Sequence, residues 1–98
     1  MYAIVLIRYR VPLEQVQAAT EAHRTYLRSL HAAGTLLASG PFEPRTGGAF
    51  ILRLPNDGAA AALDAIRDND PFWQLGIANY ELLQWTPVIG TEALDAIG

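Results

Sequence analysis

The reactive side chains of this 98-residue chain form a short alphabet: no cysteine, no lysine and two histidines, His23 and His31. Without a thiol there is no cysteine nucleophile, disulfide, Fe–S cluster or cysteine-ligated zinc, and without lysine there is no Schiff base. Imidazole is left as the natural centre for proton transfer, because histidine is the side chain whose unperturbed pKa, about 6.5, lies near physiological pH. His23 falls on the inward stripe of a predicted helix. Two readings of it stand: a general base whose ring a carboxylate holds in one tautomer, and a hydrogen-bonded core histidine. His31 lies eight residues further on, about 12 Å along a helix axis at 1.5 Å per residue, so the two cannot share a metal. Near a helix C-terminus its charge complements the dipole, which gives it a structural role.

Asp70 is the carboxylate that could orient His23. It precedes Pro71 in a loop, where aspartate also starts turns by bonding its own backbone two residues on, and a separation of 47 residues does not decide between the two. Phe72 and Trp73 either line a pocket or plug the core beneath that loop. Arg8, Tyr26, Ser39, Gly40 and Pro41 complete the candidate binding residues, with backbone N–H groups near Ser39 and Gly40 available to a developing oxyanion. No metal-ligand spacing recurs, and neither a GxGxxG nor a P-loop pattern occurs, so no metal or nucleotide cofactor is expected.

These residues need a scaffold, and hydrophobic periodicity supplies one. Tyr2 to Arg10 reads as a strand covered on both faces. Pro12 opens a helix with Leu13, Val16, Thr20, His23, Leu27 and Leu30 inward, stopped by Gly34. Strands are predicted over Thr35 to Ser39, ended by Gly40-Pro41, and over Ala49 to Leu54, with Gly47 and Gly48 serving the turn between them. Asn56 or Asp57 is expected to cap a helix from Gly58 to Arg67, which Asp68-Asn69-Asp70-Pro71 ends. Ile77 to Trp85 gives a last strand and Thr91 to Ile97 a short helix. The result is an α+β chain of ferredoxin-like βαββαβ order, a four-stranded antiparallel sheet with both helices on one face. It reads as a single domain over 1–98 with a short extension from about 88 to 98. Ile4, Leu6, Phe50, Leu52, Leu83 and Trp85 are grouped on one sheet face; they and the opposite set cannot both lie under two helices, so one set is left uncovered, which predicts a two-fold homodimer packed sheet on sheet.

Composition narrows the partners. At 51% apolar and 17% charged the chain is an ordinary folding sequence, and a net charge of −3 offers no footprint for phosphate backbones. Gly47 to Ile51 echoes an RNA-binding box, but Gly48 stands where a stacking aromatic is needed and Arg53 replaces the final aromatic, which argues against nucleic acid. The longest apolar run, Ala3 to Ile7, is far shorter than the roughly 20 residues that span a bilayer, and no basic leader precedes it. No membrane partner and a cytoplasmic location are expected.

Several pieces combine into a recognisable pattern. Tyr2-x-Ile4, His23-x-x-Tyr26-Leu27, the Gly34 helix stop, Ser39-Gly40-Pro41, Gly47-Gly48, Asp70-Pro71-Phe72 with Gly76, and a closing Trp85 with Pro87 resemble the YCII-related (YciI-like) family over about residues 1 to 88. The resemblance implies a dimeric α/β-barrel in which His23 and Asp70 lie together in each subunit's pocket. One branch of that family eliminates chloride from a chlorinated hydroxyquinol, and the wider superfamily holds cofactor-free isomerases and oxygenases as well as haem-dependent enzymes. Family helices often carry an arginine three residues before the histidine, where this chain has Thr20; what the resemblance implies for that arginine, binding of an anionic substrate, would fall here to Arg24 or Arg8. The expectation is a cofactor-independent lyase or isomerase acting on a small cyclic or phenolic compound; the alternative is a non-catalytic small-molecule-binding or regulatory dimer.

Overall fold

The computed structural model describes residues 1–97 and has the order β1 (Tyr2–Tyr9), α1 (Leu13–Ala32), β2 (Leu36–Pro41), β3 (Gly47–Arg53), α2 (Ala59–Asp68), α3 (Pro71–Gln74), β4 (Ala78–Trp85) and α4 (Thr91–Asp95). The sheet runs β2-β3-β1-β4, antiparallel throughout, so the ferredoxin-like order predicted from periodicity is present. Residue Gly98, the last of the predicted extension, lies outside the described residues.

One core lies between the sheet and the two long helices. Ala3, Val5 and Ile7 of β1 and Phe50 and Leu52 of β3 face Val16, Ala19 and Leu27 of α1 and Ala59 and Leu63 of α2, all buried. Burying a side chain of this size contributes about 1.5–3 kcal/mol, which outweighs the weak helix propensity of residues such as Val16. The end of α1 is a complete Schellman motif: Gly34 takes φ 81°, its N–H donates to His31 O, and the Thr35 N–H donates to Leu30 O. That stop fixes where β2 begins.

Strand pairing corrects the face assigned to Phe50 and Leu52. Val5 pairs with Phe50 and Ala3 with Leu52, so both sit under the helices; Ile51, opposite Ile4, takes the outer face. With period-two side chains, a shift of one position exchanges the faces. The outer face therefore carries Ile4, Leu6, Ile51, Leu83 and Trp85, the last two 40% and 37% exposed. At one end of it α4 folds back, Arg53 donating to Leu94 O and Ile97 O and the Tyr2 hydroxyl bonding Asp95.

Three local expectations are also corrected. Gly40 and Pro41 continue β2 rather than ending it, because β2 is an edge strand where a missing N–H breaks no ladder bond. Gly47 and Gly48 open β3 rather than serving the turn. A Cβ at Gly47 would stand 1.8 Å from Ile7 O and one at Gly48 2.6 Å from Gly40 O, so only glycine lets β3 close against both neighbours. Finally, neither Asn56 nor Asp57 caps α2. Gly58 holds that position with φ 74°, and the Asn56 side chain accepts from the N-terminal ammonium instead.

Gly47→Ala is expected to lower stability by more than about 3 kcal/mol, beyond the usual range for overpacking because the clash is with backbone. Gly40→Ala, where nothing lies within 4 Å of the added Cβ, is expected to be near neutral. Urea unfolding followed by circular dichroism measures both.

Candidate active site

His23 is carried on the stripe of α1 that also buries Val16, Ala19 and Leu27, so the register that packs the helix on the sheet turns the imidazole inward. Asp70 arrives from the link between α2 and α3. Its Oδ1 lies 2.7 Å from His23 Nδ1 and also accepts the Phe72 N–H at 3.1 Å, capping α3 with Pro71 in the first turn. The two sequence readings of Asp70 therefore hold together: one oxygen starts the turn and holds the histidine. Asp70 is fully buried and His23 is 9% exposed. A carboxylate at that depth is tolerated only when paired, since its desolvation costs several kcal/mol.

The ring itself is clamped. Phe72 stacks on His23 with centroids 3.9 Å apart and planes 6° from parallel, Phe50 lies 6.0 Å away, and Tyr9 meets Phe72 edge-on at 6.0 Å. Phe72 is thus both core plug and pocket wall. In the neutral imidazole, Asp70 as acceptor places the proton on Nδ1 and leaves the lone pair on Nε2, which has no partner among the described residues.

That nitrogen belongs to a residue lining a cavity of about 220 Å³, bounded by Ile7, Tyr9, Leu27, Phe50 and Phe72 on the apolar side and by Ser39, Arg24 and Arg45 on the polar side. An apolar cavity of about 150 Å³ holds benzene, so this one has room for a single substituted ring. Ser39, Gly40 and Pro41 line it from the edge strand β2.

Two expected liners are elsewhere. Tyr26 lies outside the cavity and donates its hydroxyl to Ile66 O at 2.7 Å, tying α1 to α2. Arg8 is exposed and lies over the Phe42 ring at 5.8 Å, because its position in β1 points to the outer face. Residues that sequence reasoning did not place in the pocket include Arg45, Tyr9 and Phe50, on three separate elements or loops. Tyr80 stands on β4. Its buried hydroxyl and Asp70 Oδ2 approach each other, but neither has a well-formed hydrogen bond. Burial, then the charge and hydrogen bonding of Asp70, push the Tyr80 phenol far above its usual range. The same causes in the same order, burial and then the Asp70 charge, push Tyr26 up to about 12.

Both phenols stay neutral in the folded state at pH values where the unfolded chain, with tyrosine pKa about 10, ionises. Their contribution is present in full below about pH 10 and is lost as pH rises toward the folded values. Unfolding free energy is expected to fall above about pH 10, and Tyr26→Phe to flatten that fall between about pH 10 and 12, in urea titrations across the alkaline range.

Comparison with known proteins agrees with the geometry. The family model for the YCII-related domain matches residues 1–86. No curated protein sequence matches. Among solved structures, the 5-chloro-2-hydroxyhydroquinone dehydrochlorinase of Burkholderia phenoliruptrix AC1100, in complex with 2,5-dihydroxybenzoquinone, superposes with a TM-score of 0.74 at 21% identity, over 90% of this chain and 96% of that one. With the sheet order, the family match and the superposition in agreement, the chain belongs to the YCII-related domain family.

Proposed function

We propose that this protein is a small enzyme that abstracts a proton from a one-ring cyclic or phenolic compound and so brings about elimination or isomerisation without a cofactor. The observation that carries this reading is the division of labour on His23: Nδ1 is committed to buried Asp70, and Nε2 is unpaired in a residue that lines the cavity. Nε2 takes the proton; the electron pair left behind either expels a leaving group such as halide or moves along the ring to be reprotonated by the imidazolium. Asp70 fixes the tautomer and stabilises the imidazolium as it forms. A base positioned in this way supplies about 10²–10⁴ in rate. The dehydrochlorinase likeness supports elimination from a hydroquinone as the first reaction to try.

The reading includes a homodimer. Ile4, Leu6, Ile51, Leu83 and Trp85 form an apolar sheet face next to α4, and a second copy packed on it would remove that surface from water.

The first test is chloride release from 5-chloro-2-hydroxyhydroquinone, with solvent deuterium exchange into halogen-free phenols as the second assay. His23→Gln is expected to cost at least about 10²-fold in kcat. Asp70→Asn, whose Oδ1 can still accept from both Phe72 N–H and Nδ1–H, is expected to lower kcat with KM and Tm nearly unchanged. A His23→Gln protein as active as the parent, or a parent inert in both assays, rejects the reading. Light scattering is expected to give twice the chain mass, and Leu83→Asp to give a monomer.

A further inference from the structure

The walls of the His23 cavity are cationic in a protein that is otherwise acidic. The chain has ten Asp and Glu against seven arginines, yet the cavity lining includes Arg24 and Arg45 and not one carboxylate. Of the other five arginines four are occupied, while Arg10 is exposed and away from the cavity. Arg28 pairs with Glu21, Arg67 with Asp64 and Asp68, Arg53 holds two carbonyls of the C-terminal segment, and Arg8 lies over Phe42. Among the described residues Arg24 and Arg45 have neither an ion pair nor a hydrogen bond, and Arg45 makes none with Glu43 two residues before it. Thr20 contributes no charge to the wall, since its hydroxyl donates to Val16 O at 2.8 Å.

Arg24 and Arg45 are solvent-exposed and stand at the rim, and two unpaired guanidinium groups at one small cleft raise its potential toward whatever enters. Arginine matches a planar oxyanion better than any other side chain, through paired N–H donors. The apolar remainder of the lining, Tyr9, Leu27, Phe50 and Phe72, suits the face of a ring. Arg24 comes from α1 beside His23 and Arg45 from the β2–β3 loop, so an anionic substituent held by them would fix the ring's rotation relative to Nε2.

We infer that the substrate of this cavity is a one-ring compound bearing a carboxylate-type oxyanion, bound by Arg24 and Arg45 while His23 acts on the ring. The inference rests on the reading of the cavity as a proton-transfer site, but its test does not need turnover.

The probes are 2,5-dihydroxybenzoate and 2,5-dihydroxybenzamide, which share ring and hydroxyls and differ in charge, titrated by calorimetry at low and high salt. The acid is expected to bind at least about tenfold more tightly than the amide, as a charge-assisted contact gives, and the difference to shrink with salt. Arg24→Gln and Arg45→Gln should each remove most of that preference and leave the amide's affinity unchanged, with Lys at either position restoring part of it. Equal affinity for acid and amide, a preference that survives in the double Gln variant, or no binding of either probe at millimolar concentration overturns the inference. His23→Gln separates the two readings. An acid preference retained alongside unaltered turnover removes His23 as the base and leaves the anion site standing. Turnover that needs His23, with acid and amide bound alike, removes the anion site alone.

Discussion

The site depends on one oxygen. Asp70 Oδ1, in a residue with no exposure to solvent, accepts from the imidazole of His23 and from the backbone of Phe72 at once. Each bond needs the other. The backbone bond starts α3 and aims the carboxylate; the imidazole bond supplies the partner without which a buried carboxylate could not be kept there. Since Phe72 also lays its ring on the imidazole, the tripeptide Asp70-Pro71-Phe72 sets the depth, tautomer and plane of the histidine together.

That arrangement is held by the ladder beneath it. Glycine at 47 and 48 lets β3 come close to β1 and β2, which brings Phe50 under the imidazole and Gly48, Ala49 and Ser39 into the cavity wall. Without that approach β3 would stand off the sheet and the cavity would lose its floor. The outer sheet face serves a different end: α4 is hooked over one end of it by Arg53, while the Leu83 and Trp85 side remains open.

Proton transfer as proposed, rather than simple storage of a ligand, is supported by features that the cavity combines. A ligand sink needs apolar walls and a few polar contacts. This one also has a nitrogen base held in one tautomer, a buried counter-charge for its conjugate acid, and two phenols kept neutral around that counter-charge. In the proposed reaction an imidazolium formed at His23 would be stabilised at the position where it arises, with little rearrangement of solvent.

The sequence alone determined the order of the four strands and two long helices, the inward histidine and the excluded chemistries, while the short helix α3 falls where the sequence reads as loop. Periods of two and near four are local properties of strands and helices, and a missing residue type stays missing in any fold. Asp70 as the partner of His23 came from the resemblance to the YCII-related family, not from spacing or periodicity. Tertiary structure decided what local pattern cannot encode. The pairing of Val5 with Phe50 chose which face of β3 is buried, so the expectation for Phe50 and Leu52 was reversed by one residue of register. Arg8, plausible by type, was turned outward by the same alternation, and Tyr26 was drawn to Ile66 on the next helix. Arg24, Arg45 and Tyr80 stand on three segments distant along the chain, and no one-dimensional spacing relates them. Only packing places two of them at the mouth of the cavity and the third beside Asp70, because proximity across a sheet is set by register and helix docking rather than by distance along the chain.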